Sequence, residues 1–366
     1  MGENSKKLNV GVVGMGGIGN LHATCHTNDE LSNLVAVCDI IKEKADAAAE
    51  KFNVPAFYSL KEMLSAYPEL DIVDIATSGY DNGSMHFEPA MQAIDAGRNV
   101  LVEKPICHEV TDARELVAYA AKKDVYLGCN LNHYFSAPAD KLFEYIKNGG
   151  IGEQINSIHK VGFNGSSALY GGSGGAKWNR PYSHTKAFLT HPFSVMRAFQ
   201  GDVTHIQAFM DKPGVRKSNE DLMLSIQSVH MRFQNGSVGY LLSQRGDAHF
   251  GMGCTSSLAW TYELAGTKGT ACIENCVEKL TYWQTNEEAV VHDSGVSDFN
   301  ATFPMRIHAY LEDVSNEVPK EYLRASGRDA LATIEYIFAA IESYENGGAL
   351  VRPHALPPVY GDVSRV

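Results

Sequence analysis

What the chain lacks narrows it first. It has no run of eighteen apolar residues, so no membrane-spanning helix is expected. The opening MGENSKKLNVGVVG passes straight from polar residues into a strand pattern. The basic start, continuous apolar stretch and small-residue cleavage site of a secretory signal are missing. Position 6 is Lys6, where a myristoylation motif has Ser or Thr. There is no C-x-x-C. The seven cysteines (Cys25, Cys38, Cys107, Cys129, Cys254, Cys272 and Cys276) are odd in number and scattered, which reads as reduced thiols in a cytoplasmic protein. Cys272 and Cys276 lie four apart but have no second ligand pair nearby, so no metal site is expected. Basic residues are also short, with 31 Lys and Arg against 43 Asp and Glu and a net charge of −12. That balance excludes non-specific nucleic-acid binding, which needs a basic surface.

What is present is an ordinary globular composition, 44% hydrophobic and 20% charged over 366 residues. At ~150 residues per domain this length predicts two domains. Up to about residue 130, short apolar strands alternate with helices. Strands are expected at 8–14, 34–39, 71–76, 99–103 and 125–129. Helices are expected at 18–28, 41–52, in YSLKEMLS with Ser59 as cap, at 86–96, and at 111–122 with Thr111 or Asp112 as cap. Strands that are apolar on both faces between helices mark a doubly wound parallel sheet. Beyond residue 130 the texture changes. After the helix in PADKLFEYIKNGG come a strand at 154–163, a hairpin of SIQSVHMRF and SVGYLLSQ around Asn235-Gly236, and a second hairpin, 260–265 with 270–274. A last helix spans 328–346 before Gly347-Gly348. The stretch 162–175 is rich in Gly and Ser, the composition of a functional or flexible loop.

Gly14-Met15-Gly16-Gly17-Ile18-Gly19 is G-x-G-x-x-G, placed directly after a strand and opening a helix. Gly14 permits the tight turn, Gly16 lets a pyrophosphate approach the backbone, and Gly19 lets helix and strand pack closely. The phosphates would sit at the helix N-terminus. Asp39 ends the second strand, twenty residues after Gly19, where a carboxylate accepts from an adenosine ribose. It would repel a 2′-phosphate, and Ile40 and Ile41 offer no compensating cation. NAD is therefore the expected cofactor. Thr77 follows the DIVDIA strand and is read as facing the nicotinamide end. Glu103-Lys104-Pro105 ends another strand of the same sheet, on the side where open α/β sheets bind ligands.

Gly14–Gly19, Asp39, Ala76-Thr77, His86 and Glu103-Lys104-Pro105 occur in an order and spacing that resembles the Gfo/Idh/MocA oxidoreductases. The resemblance is specific over residues 8–150 and looser beyond. It implies an α/β Rossmann domain, residues 1–130, that binds NAD. It also implies an α/β C-terminal domain, 131–366, with a large open, mostly antiparallel sheet for substrate binding and oligomerisation, the last helix packing back near the first domain. The implied activity is NAD-dependent oxidation of a ring hydroxyl of a sugar, polyol or glycoside, C3 of a glucoside included. The alternatives are an NADPH-dependent carbonyl reductase and a non-catalytic, NAD-bound regulatory protein.

By the same resemblance Lys104 is catalytic or positions substrate, and His86 matches the family's histidine at the start of its helix. Thr190-His191-Pro192-Phe193 matches the family's C-domain histidine motif, which makes His191 the second catalytic candidate. Four residues earlier the family carries aspartate, and this chain has Ala187. Tyr182, His184 and Lys186 are candidates to replace it. Trp178, which follows the Gly171–Gly175 segment rather than preceding it, is a candidate to stack on substrate. Asn130, Asn132 and His133 follow the strand ending at Cys129. Asn130 is read toward the cofactor with Gly17, Ile18, Ile40 and Glu103, and Asn132 toward substrate. The expected partners are a small-molecule substrate and further copies of the chain, through the C-terminal sheet.

Overall fold

The computed structural model describes residues 7–78, 85–164, 180–212, 222–246 and 258–357. Its contacts divide into two compact units. One comprises residues 1–132, 303–334 and 356–363, and the other 133–302, 335–355 and 364–366.

The first unit is built on six parallel strands: β1 (Leu8–Val13), β2 (Ser32–Cys38), β3 (Ala56–Phe57), β4 (Ile72–Ile75), β5 (Asn99–Val102) and β6 (Leu127–Cys129), in the order β3-β2-β1-β4-β5-β6. The crossovers carry α1 (Gly17–Asn28), α2 (Lys42–Phe52), α3 (Leu60–Ala66), α4 (Phe87–Asp95) and α5 (Val110–Lys122). Val10, Val12, Val37, Ile72, Ile75, Val100 and Val102 are buried. This is why the strands read as unbroken apolar runs: a parallel sheet covered on both sides has no solvent face to alternate toward. Ser59 caps α3 by accepting from the Glu62 N–H, as expected. The caps expected for α5 are corrected. The helix begins at Val110 behind Glu109, which makes no side-chain cap bond, so Thr111 and Asp112 lie inside its first turn.

The second unit holds an eight-stranded sheet in the order β14-β13-β12-β11-β7-β10-β9-β8. Its strands are β7 (Gln154–Asn164), β8 (Val203–Asp211), β9 (Ile226–Phe233), β10 (Val238–Gly246), β11 (Leu258–Gly266), β12 (Gly269–Glu274), β13 (Lys279–Gln284) and β14 (Val290–Asp293). All neighbours are antiparallel except β7 with β10. Both expected hairpins form, with Gly236 at φ +89° in the first. Helices α6 (Ala137–Lys147), α7 (Ser183–Phe188) and α8 (Thr190–Gln200) belong to this unit.

The sequence reading missed α9 (Thr302–Ser315), which the residue-130 boundary leaves on the far side of the chain. From Phe303 onward this segment belongs to the first unit, as do the opening residues of α10 (Gly327–Glu345). Arg306, fully buried, donates through Nε to the Cys129 carbonyl and through Nη2 to that of Ala325. The Tyr310 hydroxyl donates toward the carbonyls of Val100 and Tyr126, at 3.0 and 3.2 Å. The close approach needs Gly128, where a Cβ would lie 2.7 Å from the Tyr310 ring.

Two outcomes follow. Gly128→Ala destabilises the protein by about 1–3 kcal/mol in urea melts, because the Tyr310 ring has to move off its two carbonyls. In the second unit, His159 is fully buried and its Nδ1–H donates to the Thr261 carbonyl at 2.7 Å. Burial lowers its pKa from 6.5 to about 4, so the folded state disfavours the proton. Its contribution is intact above the ordinary histidine value and is lost as pH falls toward 4. Comparing melts at pH 8 and pH 5, His159→Leu removes about 2 kcal/mol of the acid-induced loss.

Candidate active site

Each motif glycine has its own reason. Gly14 sits at φ +93°, and a Cβ there would lie 2.7 Å from the Thr77 nitrogen. A Cβ on Gly19 would lie 1.8 Å from the Gly14 carbonyl oxygen. These two are packing requirements. A Cβ on Gly16 or Gly17 would meet nothing within 4 Å. Gly16 is the N-cap of α1, without a side-chain cap and with no acidic residue in the first turn. Ile18 beside it is exposed. A bare helix N-terminus flanked by open space fits a pyrophosphate group.

Asp39, at the end of β2, is 8% exposed. Its Oδ2 accepts from the Met15 N–H at 2.7 Å and its Oδ1 from the Ile41 N–H at 2.8 Å. The carboxylate thus fixes the glycine loop while keeping lone pairs for a ribose. Ile40, directly after this carboxylate, is apolar and 88% exposed.

The Glu103-Lys104-Pro105 turn is held on both flanks. The Glu103 carboxylate accepts from the backbone N–H of Lys104 at 3.0 Å, from His22 Nε2 at 3.1 Å and from the Asn130 amide. The Pro105 carbonyl faces His86 Nδ1 at 2.7 Å, and the other ring nitrogen of His86 faces the Thr77 carbonyl at 2.8 Å. Burial outweighs the pull of these carbonyls and holds the His86 pKa below the usual histidine value. The Lys104–Pro105 bond is cis. Lys104 itself is half-buried, and among the described residues its ammonium has no hydrogen-bond or ion-pair partner. The turn is pinned, and its middle side chain is left for a ligand.

Glu103 and Asn130, expected at the cofactor, and His86, expected at the start of its helix, are all three buried. Their side chains bond to His22, to each other and to the backbone of Lys104, Pro105 and Thr77, so they hold the turn. Thr77 lends its carbonyl to His86 and its hydroxyl to the Met85 carbonyl. The sequence reading missed His22, His26 and Asp74, all fully buried. Two signals were available: histidines one turn apart on α1, which share a face, and a charged residue inside the apolar DIVDIA strand, which demands a buried partner.

In the second unit His191 lies in the first turn of α8, 6% exposed. Its ring stacks on that of His133, centroids 3.7 Å apart and planes 10° apart, with Phe188 edge-on to both. Charge on one imidazole opposes charge on the other at this distance. Ala187 is buried at the end of α7, so the position of the family's aspartate is small and apolar here. Three residues read as its replacements are engaged within this unit. The Tyr182 hydroxyl donates to Glu345 at 2.7 Å, the Lys186 ammonium lies 4.9 Å over the Phe338 ring, and His184 packs on Phe188 with Nε2 3.1 Å from the Ser243 hydroxyl. Asn132, the last residue of this stretch of the first unit, is buried at the start of a 3-10 turn. Trp178, with 165–175 of the glycine-rich stretch, lies outside the described residues.

The glycine loop yields a direct comparison. Gly19→Ala costs about 3 kcal/mol or more in urea melts, because the new methyl lands on a carbonyl. Gly16→Ala, facing open space, stays within about 1 kcal/mol of the parent.

Residues 8–131 match the family model described as an oxidoreductase family with an NAD-binding Rossmann fold. D-Glucoside 3-dehydrogenase of Escherichia coli (strain K12) is 29% identical over 150 residues, 41% of this chain and 42% of that protein. Myo-inositol 2-dehydrogenase of Thermotoga maritima is 28% identical over 146 residues, 40% of this chain and 42% of that protein. The chain thus spans about two fifths of the length of these two relatives. The solved structure of a levoglucosan dehydrogenase in complex with NADH superposes with a TM-score of 0.80 at 17% identity, covering 96% of this chain and all of the other; that likeness is one of fold. The match to this oxidoreductase family thus lies in the Rossmann segment, residues 8–131, and the likeness over the rest of the chain is one of fold.

Proposed function

We propose that this chain is an NAD-dependent dehydrogenase that oxidises a ring hydroxyl of a sugar, polyol or glycoside to a ketone. The observation that carries the reading is the doubly pinned Glu103-Lys104-Pro105 turn, which presents an ammonium unpaired among the described residues at the carboxyl end of a sheet whose glycine loop fits a dinucleotide. The cofactor, when bound, supplies the hydride acceptor. Lys104 donates a hydrogen bond to the reacting oxygen and stabilises its developing negative charge. His191 accepts the hydroxyl proton, the task an imidazole performs at neutral pH. Asp39 with the uncharged Ile40 favours NAD over NADP, since a 2′-phosphate would meet a carboxylate and no cation. The glucoside and inositol dehydrogenases among the relatives support a cyclic polyol or glycoside, C3 of a glucoside being the first position to examine. Trp178 and the half-buried Tyr182 are offered as substrate contacts with Lys186, His184 and Asn132.

No helix among the described residues is long and apolar enough to cross a membrane. We place the protein in the cytoplasm, as a homo-oligomer formed through the second unit's sheet. Exposed Ile158, Val238 and Trp283 on its strands support such an interface. The buried Ala187 favours one second reading, a regulatory protein that binds NAD without turnover.

The test is NADH formation with NAD and with NADP against inositols, free hexoses and glucosides. An NAD-dependent signal is expected, falling about 10²-fold or more in Lys104→Ala and in His191→Ala. Silence across the panel, with NAD bound in a titration, overturns the dehydrogenase reading in favour of the regulatory one.

A further inference from the structure

Beneath the Lys104 turn lies a cluster of ionisable side chains with no assigned task. His22 and His26 project from α1, Asp74 stands on β4 and Glu103 ends β5. His22, His26 and Asp74 have no solvent exposure, and Glu103 is 7% exposed. His22 Nδ1 lies 2.9 and 3.0 Å from the two Asp74 oxygens, and His22 Nε2 lies 3.1 Å from Glu103 Oε1. Both ring nitrogens therefore face carboxylate oxygens. With both carboxylates ionised, each such contact needs a hydrogen on the ring, and only the doubly protonated imidazolium has two. The Asn130 amide donates to the same Glu103 oxygen, and His26 Nε2 donates to Asp74 at 2.8 Å. The second Glu103 oxygen receives the Lys104 backbone N–H.

We propose that His22 is a positioning residue for Lys104: its imidazolium bridges Asp74 and Glu103, and Glu103 so held fixes the backbone from which the Lys104 side chain projects.

The electrostatics agree with the geometry. Burial alone drives His22 toward the neutral ring, but Asp74 and then Glu103 reverse this and carry its pKa up to about 10. Burial penalises both carboxylates too, yet His22 holds Asp74 and Glu103 below the usual carboxylate range. Among the described residues the remaining elements bring no competing charge to the ring. From α9 it meets the edge of Phe303, centroids 5.9 Å apart. Arg306 on that helix is bonded to the Cys129 and Ala325 carbonyls. Tyr310 stays a neutral phenol, and Cys25 on α1 stays a thiol, its pKa pushed up to about 12 by burial. Removing the imidazolium leaves two buried carboxylates without their cation. Glu103 then takes up a proton as pH falls and no longer holds the turn.

The kinetic arm of the test rests on the dehydrogenase reading, so two arms read the relay without turnover. In the first, ¹⁵N chemical shifts of the His22 ring, assigned by difference from His22→Gln, report both nitrogens protonated at pH 7.5. A neutral ring at that pH overturns the proposal. In the second, amide hydrogen exchange at Lys104 becomes about tenfold faster or more in His22→Gln, the size of one lost hydrogen bond to a charged group. His26→Gln, which loses a bond to Asp74 but not to Glu103, leaves it at the native rate. Native exchange in a folded His22→Gln protein, or equal acceleration in both variants, overturns the proposal. If His22→Gln does not fold, His22→Gln/Asp74→Asn removes the opposed charges together and takes its place in the exchange measurement. In the kinetic arm His22→Gln lowers kcat and adds an acid limb to its pH profile, and Glu103→Gln on that background abolishes the limb. An unchanged kcat and profile overturns the proposal. Should the native protein oxidise nothing in the panel, the dehydrogenase reading fails while the ring shifts and the Lys104 exchange still decide the relay.

Discussion

A carboxylate under a covered parallel sheet is tolerated only with a compensating charge and filled hydrogen-bonding positions, and this chain buries two. Asp74 and Glu103 share one imidazole between them, with Asn130 and His26 supplying further donors. A neutral ring could donate to only one carboxylate and would bring no compensating charge to either. The whole Lys104 turn hangs from this arrangement. One oxygen of Glu103 belongs to the relay and the other to the Lys104 backbone, while His86 secures the Pro105 side from the opposite flank. The charge that a ligand meets is thereby separated from the charges that hold it in place.

The glycine loop follows a similar division of labour. Gly14 and Gly19 are required by the protein's own packing, whereas a Cβ on Gly16 or Gly17 would meet only open space. Asp39 serves both needs, since the backbone N–H groups of Met15 and Ile41 fix its orientation. Below the sheet, α9 supplies a buried Arg306 and Tyr310 that satisfy carbonyls at the ends of β5 and β6. A segment nearly 200 residues away in sequence thus completes the frame that carries Glu103 and Asn130.

The second unit departs from the histidine motif that the sequence resembles in a physically coherent way. With Ala187 in place of the aspartate, no carboxylate stands one turn before His191. The histidine is instead embedded among rings, stacked on His133 and edged by Phe188. Aromatic packing fixes the orientation of an imidazole without supplying charge. Tyr182 and Lys186 are drawn to Glu345 and Phe338 on α10, which anchors α7 beside it.

The fold was legible in the sequence where local physics dictates it. Strands apolar on both faces can only be covered parallel strands, Asn235-Gly236 can hardly be other than a turn, and a G-x-G-x-x-G between strand and helix states its own purpose. The catalytic candidates Lys104 and His191 were legible through resemblance, and Asp39 through its spacing from Gly19. The direction of side chains was not. Glu103, Asn130 and His86 sit beside the cofactor motif in sequence, yet they turn inward, because buried His22 and two backbone carbonyls compete for them. Nor could sequence return Arg306 to β6 or stack His133 on His191. Periodicity records which residues avoid water; hydrogen bonds between residues from tens to nearly two hundred positions apart exist only once the chain has closed, and it is those bonds that decide which side chains are held and which one is left for a ligand.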